Sequence, residues 1–228
     1  MIRNILFDLD DTLFDFRQAE KIALSKTLLH IGIEPKAEML ARYSDINLAQ
    51  WKLLEQGKLT LEEVKVRRYQ LFFDEIGIAY SAKHATEYYE NLLGTGHYFV
   101  DGAETLLTTL SGSYRLYLVT NGSTAVQKRR IESAGISKYL NDVFISQEIG
   151  FDKPHPEFFD YCFSKIPQFK KQETLIVGDS LSSDIKGGKD SGITTVWFTA
   201  DTSEKSSEII PNYEIHKLLD LIPLLETI

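Results

Sequence analysis

Residues 2–12, IRNILFDLDDT, place an apolar, strand-forming run directly before three carboxylates. An extended segment points alternate side chains to opposite faces, so Asp8 and Asp10 would project to the same side with Leu9 between them. Two like charges held that close are costly unless a cation lies between them or one carboxyl keeps its proton. The stretch therefore predicts a buried strand that ends in an acidic, chemically active turn.

The composition bounds the class of protein. The chain has 228 residues, 43% of them hydrophobic, which suits one sizeable domain or a core with a smaller insert. Its 25 Lys and Arg against 33 Asp and Glu give a net charge of −8 without a basic run, so we predict no nucleic-acid polymer as a partner. The single cysteine, Cys162, lies in an apolar stretch and is expected in the core. With no leader pattern and no 18-residue apolar stretch, we expect a cytoplasmic protein without a membrane partner.

The order of elements predicts an α/β fold. Runs rich in β-branched and aromatic residues occur at 2–8, 114–120, 142–146, 174–179 and 194–198. From residue 102 onward these runs alternate with helical patterns, which is typical of a parallel sheet covered on both faces. Residues 15–95 contain helical patterns but no convincing strand, and one of those helices begins with a capping-box pattern at Thr60 and Glu63. We therefore predict a helical insert after the first strand.

Polar residues close the other predicted strands. The second strand ends in TNG, where Thr120, Asn121 and a backbone N–H could bind phosphate oxygens, although turn chemistry is the alternative. Lys153 lies in GFDKPHP, between strands, and could also be a solvated lysine. Asp179 ends another strand, and Asp184 follows five residues later, where it could cap a helix. Ligands of open parallel sheets bind beyond the carboxyl ends of the strands, so one crevice could gather all these groups.

Taken together, these residues resemble the four motifs of the haloacid dehalogenase-like hydrolase superfamily, in order and at family-like spacing. The motifs are DLDDT at 8–12, Thr120, Lys153 and GDSLSSD at 178–184. The resemblance covers essentially the whole chain. It implies a Rossmann-like catalytic core of residues 1–14 and 96–228, with a helical cap of residues 15–95 inserted after the first strand.

The resemblance also implies catalytic roles. Asp8 would attack phosphorus, while Asp10 would protonate the leaving oxygen and then activate the water that hydrolyses the intermediate. Thr120 and Asn121 would bind the substrate phosphate, and Lys153 would balance the charge on the nucleophile and the phosphate. A carboxylate nucleophile fits this chemistry because it divides one difficult displacement into two easier ones.

A magnesium ion is the implied cofactor. Its ligands would be the Asp8 and Asp179 carboxylates and the Asp10 backbone carbonyl, and Asp184 would support the site through a metal-bound water or from behind the ligands. Magnesium prefers hard oxygen ligands and keeps several waters, which suits this set beside a substrate phosphate.

Three segments look like the pyrimidine 5'-nucleotidase branch of the superfamily. They are DDTLFDF at 10–16, WKLLEQGKLT at 51–60 and TNGS at 120–123. The expected partner is therefore a small phosphorylated metabolite, namely a nucleoside 5'-monophosphate. Four aromatic residues are candidates for stacking on a base, with core packing as the alternative: Phe14, Phe16, Trp51 and Tyr88. Arg17 either meets a substrate anion or is a solvated residue at a helix start.

Several alternatives remain open from the sequence. A sugar-phosphate phosphatase or a phosphomutase would share the motifs, although the stretch 13–20 shows no recognisable mutase cap residues. A 2-haloacid dehalogenase typically lacks the second acid of the pair, so Asp10 favours phosphate. A receiver-like phospho-acceptor domain would be shorter and would lack the insert, and a non-catalytic binding module would not need every one of these polar groups.

Overall fold

The computed structural model describes residues 1–200 and 208–228, and a parallel sheet of six strands organises that part of the chain. The strands are β1 Asn4–Phe7, β2 Arg115–Thr120, β3 Asp142–Ile145, β4 Thr174–Gly178, β5 Thr194–Phe198 and β6 Tyr213–Ile215. Their order is β3-β2-β1-β4-β5-β6, and every neighbouring pair is parallel. The predicted α/β fold with a parallel sheet is confirmed, and β6 is a strand that the sequence patterns did not predict.

The central strand β1 determines where a ligand can bind. All four of its residues, NILF, are buried, as expected for a parallel strand covered on both faces. It pairs with β2 on one side and β4 on the other, so the chain changes direction across the sheet at β1. A crevice therefore opens beyond the carboxyl end of β1, directly in front of Asp8.

Of the five helices between β1 and β2, the first four form the predicted helical insert. They are α1 Phe16–His30, α2 Ala37–Glu55, α3 Leu61–Ile76 and α4 Ala82–Leu93. The capping box at the start of α3 is confirmed: Thr60 Oγ1 accepts from the Glu63 N–H at 3.3 Å, and Glu63 Oε2 accepts from the Thr60 N–H at 2.7 Å. These helices pack around their own apolar cluster, which includes Tyr43, Phe72 and Tyr89. We call α1–α4 the cap helices; the exact domain boundaries stay a prediction.

The remaining helices cover the sheet. They are α5 Ala103–Leu110, α6 Thr124–Ala134, α7 Ser146–Ile149, α8 Pro156–Lys165, α9 Lys186–Ser191 and α10 Leu221–Leu225. Helix α6 begins after Ser123 and ends at Gly135, which adopts the left-handed region at φ 66°. Cys162 is buried in the core as expected, and burial raises the pKa of its thiol. In residues 1–200 and 208–228, every helix is too short or too polar to cross a membrane.

Candidate active site

Three carboxylates converge beyond the carboxyl ends of β1 and β4. Asp8 directly follows β1, and its N–H donates to the Val177 carbonyl of β4 at 2.9 Å, which extends the sheet ladder by one bond. Asp179 directly follows β4, and Asp184 lies in a π-helical turn, Leu181–Ile185, that leads into α9. One oxygen from each of Asp8, Asp179 and Asp184 lies within 4.8 Å of the other two. Asp8 and Asp179 are therefore close enough to share one ion.

The ammonium of Lys153 lies inside this carboxylate group, although the residue comes from the segment between α7 and α8. Its Nζ donates to Asp8 Oδ1 at 2.6 Å, to Asp184 Oδ1 at 2.7 Å and to the Val119 carbonyl at 2.8 Å. A lysine ammonium has three donors, so all of them are used and the group is fixed. Burial alone would lower the pKa of Lys153, but Asp184 and Asp8 outweigh it and the pKa is raised. Lys153 is thus a charged, immobile part of the site.

The negative charge exceeds what Lys153 balances. Burial raises the pKa of Asp8 to about 7; Lys153 opposes this rise, and the nearby Asp184 and Asp10 add to it. Burial and the charges of Asp8 and Asp184 raise the pKa of Asp179 well above its ordinary value. One ammonium among three carboxylates leaves an excess of negative charge, which a divalent cation would offset. The donor set, carboxylate oxygens only, fits a hard cation such as Mg²⁺.

Three residues, Gly178, Thr12 and Trp197, explain how Asp179 and Asp184 are held at the end of β4. A Cβ on Gly178 would lie 2.3 Å from Asp184 Oδ2, so only glycine lets that carboxylate approach the end of the strand. Thr12, in the turn after β1, accepts the Asp179 N–H on its Oγ1 at 3.1 Å. The Trp197 indole N–H donates to the Asp179 carbonyl at 2.8 Å. Thr12 and Trp197 were not assigned roles from the sequence, because each acts through the backbone of another residue.

The residues at the end of β2 have different tasks. Asn121 pairs with the backbone of Lys153: its Nδ2 donates to the Lys153 carbonyl at 3.0 Å and its Oδ1 accepts the Lys153 N–H at 2.9 Å. Asn121 therefore holds the Lys153 segment in place, and its contact with substrate stays a prediction. Thr120 is buried beside the crevice, where its Oγ1 accepts from Gln127 Nε2 at 2.8 Å.

Asp10 lies apart from the three-carboxylate group and is held by α6. Its Oδ1 accepts from Arg130 Nη1 at 2.5 Å, and its Oδ2 accepts from Gln127 Nε2 at 2.8 Å. Neither α6 residue was predicted, because the helix sequence TAVQKRRIESA looks largely solvated. In the structure the buried positions of α6 form one helical face, whose direction the helix sequence alone does not reveal: Val126, Gln127, Arg130 and Ile131.

A small cavity separates the cap helices from the sheet. It encloses about 40 Å³. Its lining comes from both parts of the molecule and includes Asp10, Phe16, Trp51, Arg68, Gly122 and Arg130. Ligand pockets usually measure roughly 300–1,000 Å³, so a nucleoside has no room here unless the cap helices move. A larger, open cavity of about 590 Å³ lies at the opposite edge of the sheet, around Met1 and Asn141, and none of its lining residues is acidic.

The cavity divides the aromatic candidates into two pairs. Phe16 and Trp51 line it, whereas Phe14 packs edge-on against Phe99 at 5.2 Å and Tyr88 stacks on His30 at 4.0 Å between ring centroids. Phe14 and Tyr88 therefore follow the packing alternative. Arg17 lies beside Asp11 at the start of α1, with 86% of its side chain exposed. It therefore follows the alternative of a solvated residue.

The fold and this site together define a haloacid dehalogenase-like hydrolase. The model of that family matches residues 5–198, and the chain belongs to the family. The family and the enzyme class predicted from the motifs are confirmed at this level.

Individual members of the family are similar to this chain over nearly its whole length. The chain is 40% identical to the HAD-hydrolase YfnB of Bacillus subtilis over 98% of this chain and 95% of the relative. It is 35% identical to the pyrimidine 5'-nucleotidase PynA of Streptococcus pneumoniae, over 97% and 94%. A crystal structure of YfnB bound to magnesium, 40% identical in sequence, matches with a TM-score of 0.94 over 98% of both chains. The L-2-haloacid dehalogenase of Xanthobacter autotrophicus, 15% identical over 99% of both chains, has a TM-score of 0.81 and shares the fold.

Proposed function

We propose that this protein is a magnesium-dependent phosphomonoester hydrolase that forms a phospho-aspartate on Asp8 and acts on nucleoside 5'-monophosphates. The observation that carries the proposal is the convergence of Asp8, Asp179 and Asp184 within 4.8 Å around a single ammonium. Asp8 and Asp179, with the Asp10 backbone carbonyl, would hold Mg²⁺. The ion would supply positive charge that stabilises the anionic phosphoryl group during transfer.

In the first step, a carboxylate oxygen of Asp8 attacks phosphorus, and the bond from phosphorus to the leaving alcohol oxygen breaks. Lys153 binds Asp8 Oδ1, which leaves Oδ2 as the attacking oxygen. Asp10 gives its proton to the leaving oxygen, so the alcohol departs neutral. The Thr120 hydroxyl would bind a phosphoryl oxygen, and the Lys153 ammonium, held on Asp8 Oδ1, would balance the charge of the nucleophile and the phosphate.

In the second step, water attacks the phosphorus of phospho-Asp8. Asp10, now a carboxylate, takes a proton from that water, and Asp8 leaves as a carboxylate. The products are inorganic phosphate and the starting enzyme. Because Lys153 is fixed by three hydrogen bonds, it needs no rearrangement between the two steps.

The substrate class rests on the cap side of the cavity. Phe16 and Trp51 offer aromatic faces on which a base can stack, and they line the same cavity as Asp10. The pyrimidine 5'-nucleotidase name of the PynA relative supports a nucleotide, and the magnesium in the YfnB structure supports the cofactor. A cytoplasmic location stays part of this proposal.

A phosphate-release screen tests the proposal. Nucleoside 5'-monophosphates and sugar phosphates are each assayed with Mg²⁺ and with a chelator, and chloride release from 2-chloropropionate is measured in parallel. We expect nucleoside 5'-monophosphates among the best substrates, no activity after chelation and no dehalogenation. Asp8→Asn should lower kcat by more than about 10⁴-fold, since the nucleophile is lost. Asp190→Asn, an exposed control, should not.

The outcomes separate the parts of the proposal. Turnover dominated by sugar phosphates would refute the substrate class and leave the mechanism intact. Full activity in chelator would refute the metal, and chloride release that depends on Asp8 would replace the phosphatase with a dehalogenase.

A further inference from the structure

Arg130 is fully buried, yet it carries a charge that links three parts of the chain. Its Nη1 donates to Asp10 Oδ1 and, at 3.0 Å, to Gln127 Oε1. Its Nε–H donates to the carbonyl of Gly96 at 2.7 Å. Gly96 lies in the connection from α4, the last cap helix, back to the sheet-covering helix α5.

Gln127 also binds Asp10, from the same face of α6 as Arg130. Its Nε2 donates to Asp10 Oδ2 and to Thr120 Oγ1, both at 2.8 Å. The two oxygens of Asp10 are therefore held by two neighbouring side chains of one helix. This fixes the direction of the carboxyl group. Each carboxyl oxygen has more than one acceptor site, so these bonds leave a position for the proton that Asp10 is proposed to donate.

Both connections between the cap helices and the sheet contact Arg130. On the first connection, the guanidinium carbon lies 5.4 Å from the Phe14 ring centroid and 5.9 Å from that of Phe16. On the second, Gly96 is packed so closely that an added Cβ would lie 3.1 Å from the Ala19 Cβ. The guanidinium thus contacts both chain segments that join the cap helices to the sheet.

The energetic cost of burying the Arg130 charge argues against a role limited to core packing. A buried charge is weak evidence for stability, because well-packed apolar residues of similar volume often stabilise as much or more. Within the described part of the chain, its Nη2 is buried without a hydrogen-bond partner, which adds to the cost. A buried arginine that costs stability suggests a role that depends on the direction of its hydrogen bonds.

We propose that Arg130, together with Gln127, is a positioning residue for the proton donor Asp10, and that Arg130 ties this position to the Gly96 connection of the cap helices. The inference rests on the proposed function, because it assumes that Asp10 protonates the leaving oxygen. Proton transfer requires the donor within about 2.6–3.2 Å of its target, so a carboxyl free to rotate loses much of its effect.

The test compares two leaving groups. Thymidine 5'-monophosphate releases an alcohol that needs a proton, whereas 4-nitrophenyl phosphate releases a phenolate that departs without one. The measured quantity is kcat/KM, since it includes only the steps up to departure of the leaving group. For Arg130→Met we expect a loss of about 100-fold with the nucleotide and less than about 3-fold with the aryl ester. Arg130→Lys, which keeps the charge, should recover part of the loss.

Matched variants keep the test decisive if Arg130→Met folds poorly. Gln127→Leu removes the second contact to Asp10 and should show the same selectivity for the nucleotide. Arg129→Ala is the control, because its guanidinium binds the Asn91 carbonyl at the end of α4 without touching Asp10. Equal losses with both esters, or no loss with either, would overturn the inference. If the wild type with Mg²⁺ released phosphate from neither ester, the proposed function would fail and the inference with it.

Discussion

The site at the carboxyl ends of β1 and β4 and the interior of the cap helices are both buried, but different interactions hold them together. At the strand ends, Lys153 satisfies each of its donors with a defined oxygen at 2.6–2.8 Å. In the cap, aromatic rings meet at varied angles, and Tyr43 lies 5.0–5.9 Å from the centroids of Tyr69, Phe72 and Tyr89. Directional bonds fix single atoms, whereas ring packing tolerates exchange of one shape for a similar one. The proposed chemistry thus depends on atoms fixed at the ends of the strands, whereas the cap interior tolerates exchange of side chains of similar shape.

The largest expected difference between the two regions follows from Lys153→Met. The change leaves Asp8 and Asp184 buried without their shared cation. We expect a loss of about 3–5 kcal/mol in the free energy of unfolding, since breaking a buried ion pair strands the remaining charge. Activity should fall by about 10³-fold, because fixed positive charge at the phosphoryl group is lost. Urea unfolding and phosphate release measure the two effects.

The matched control for that change is Lys186→Met. Lys186 is half-exposed and pairs with Asp190 on α9, so both quantities should stay near the wild-type values. A Lys153→Met protein as stable and active as this control would contradict the contrast between the regions.

A cap substitution should change selectivity and leave the chemistry intact. Trp51→Ala removes one aromatic face of the cavity, and stacking on a base is worth about 1–3 kcal/mol, so kcat/KM for thymidine 5'-monophosphate should fall by about 10-fold. Acetyl phosphate, which has no ring, should be hydrolysed at nearly the wild-type rate. Tyr88→Ala is the control, because that ring stacks on His30 outside the cavity. Equal losses on both substrates would assign Trp51 to packing.

A further effect is a dependence of stability on pH in the metal-free protein. Burial raises the pKa values of Asp8 and Asp179, so the folded state binds more protons than the unfolded chain above about pH 4. The stabilisation present at acid pH is therefore lost as the pH rises through about 7, the pKa of folded Asp8. We expect the Tm of the wild type, relative to Asp8→Asn, to be lower at pH 8 than at pH 5.

Magnesium should reverse that difference. Its ligands must be deprotonated, so added Mg²⁺ should raise the Tm more at pH 8 than at pH 5, by about 2–4 °C per kcal/mol of binding. An equal rise at both pH values would mean that the buried carboxylates are not the ligands.

The sequence predicted the sheet well because its strands are strongly marked. Five of the six strands were located from β-branched and aromatic runs. The strand β6 was missed because it has three residues, Tyr213–Ile215, of which only Ile215 is buried. A run that short carries no alternation that separates it from a loop.

The candidate site divides in the same way. Residues at strand ends, such as Asp8 and Asp179, were predicted because topology alone brings strand ends together. Arg130 was not, because nothing local separates it from its neighbour Arg129, which lies on the exposed face of α6. Which arginine turns inward depends on the rotation of the helix against the cap connections, and that is a tertiary property.

The small volume between the cap helices and the sheet has a consequence for the fate of a phosphorylated Asp8. The cavity of about 40 Å³ that Asp10 lines has room for water but not for a sugar or a nucleoside. If it keeps this size after the first alcohol has left, water can reach Asp10 and a second metabolite cannot. Geometry of this kind would commit the enzyme to hydrolysis and against passing the phosphoryl group from one metabolite to another.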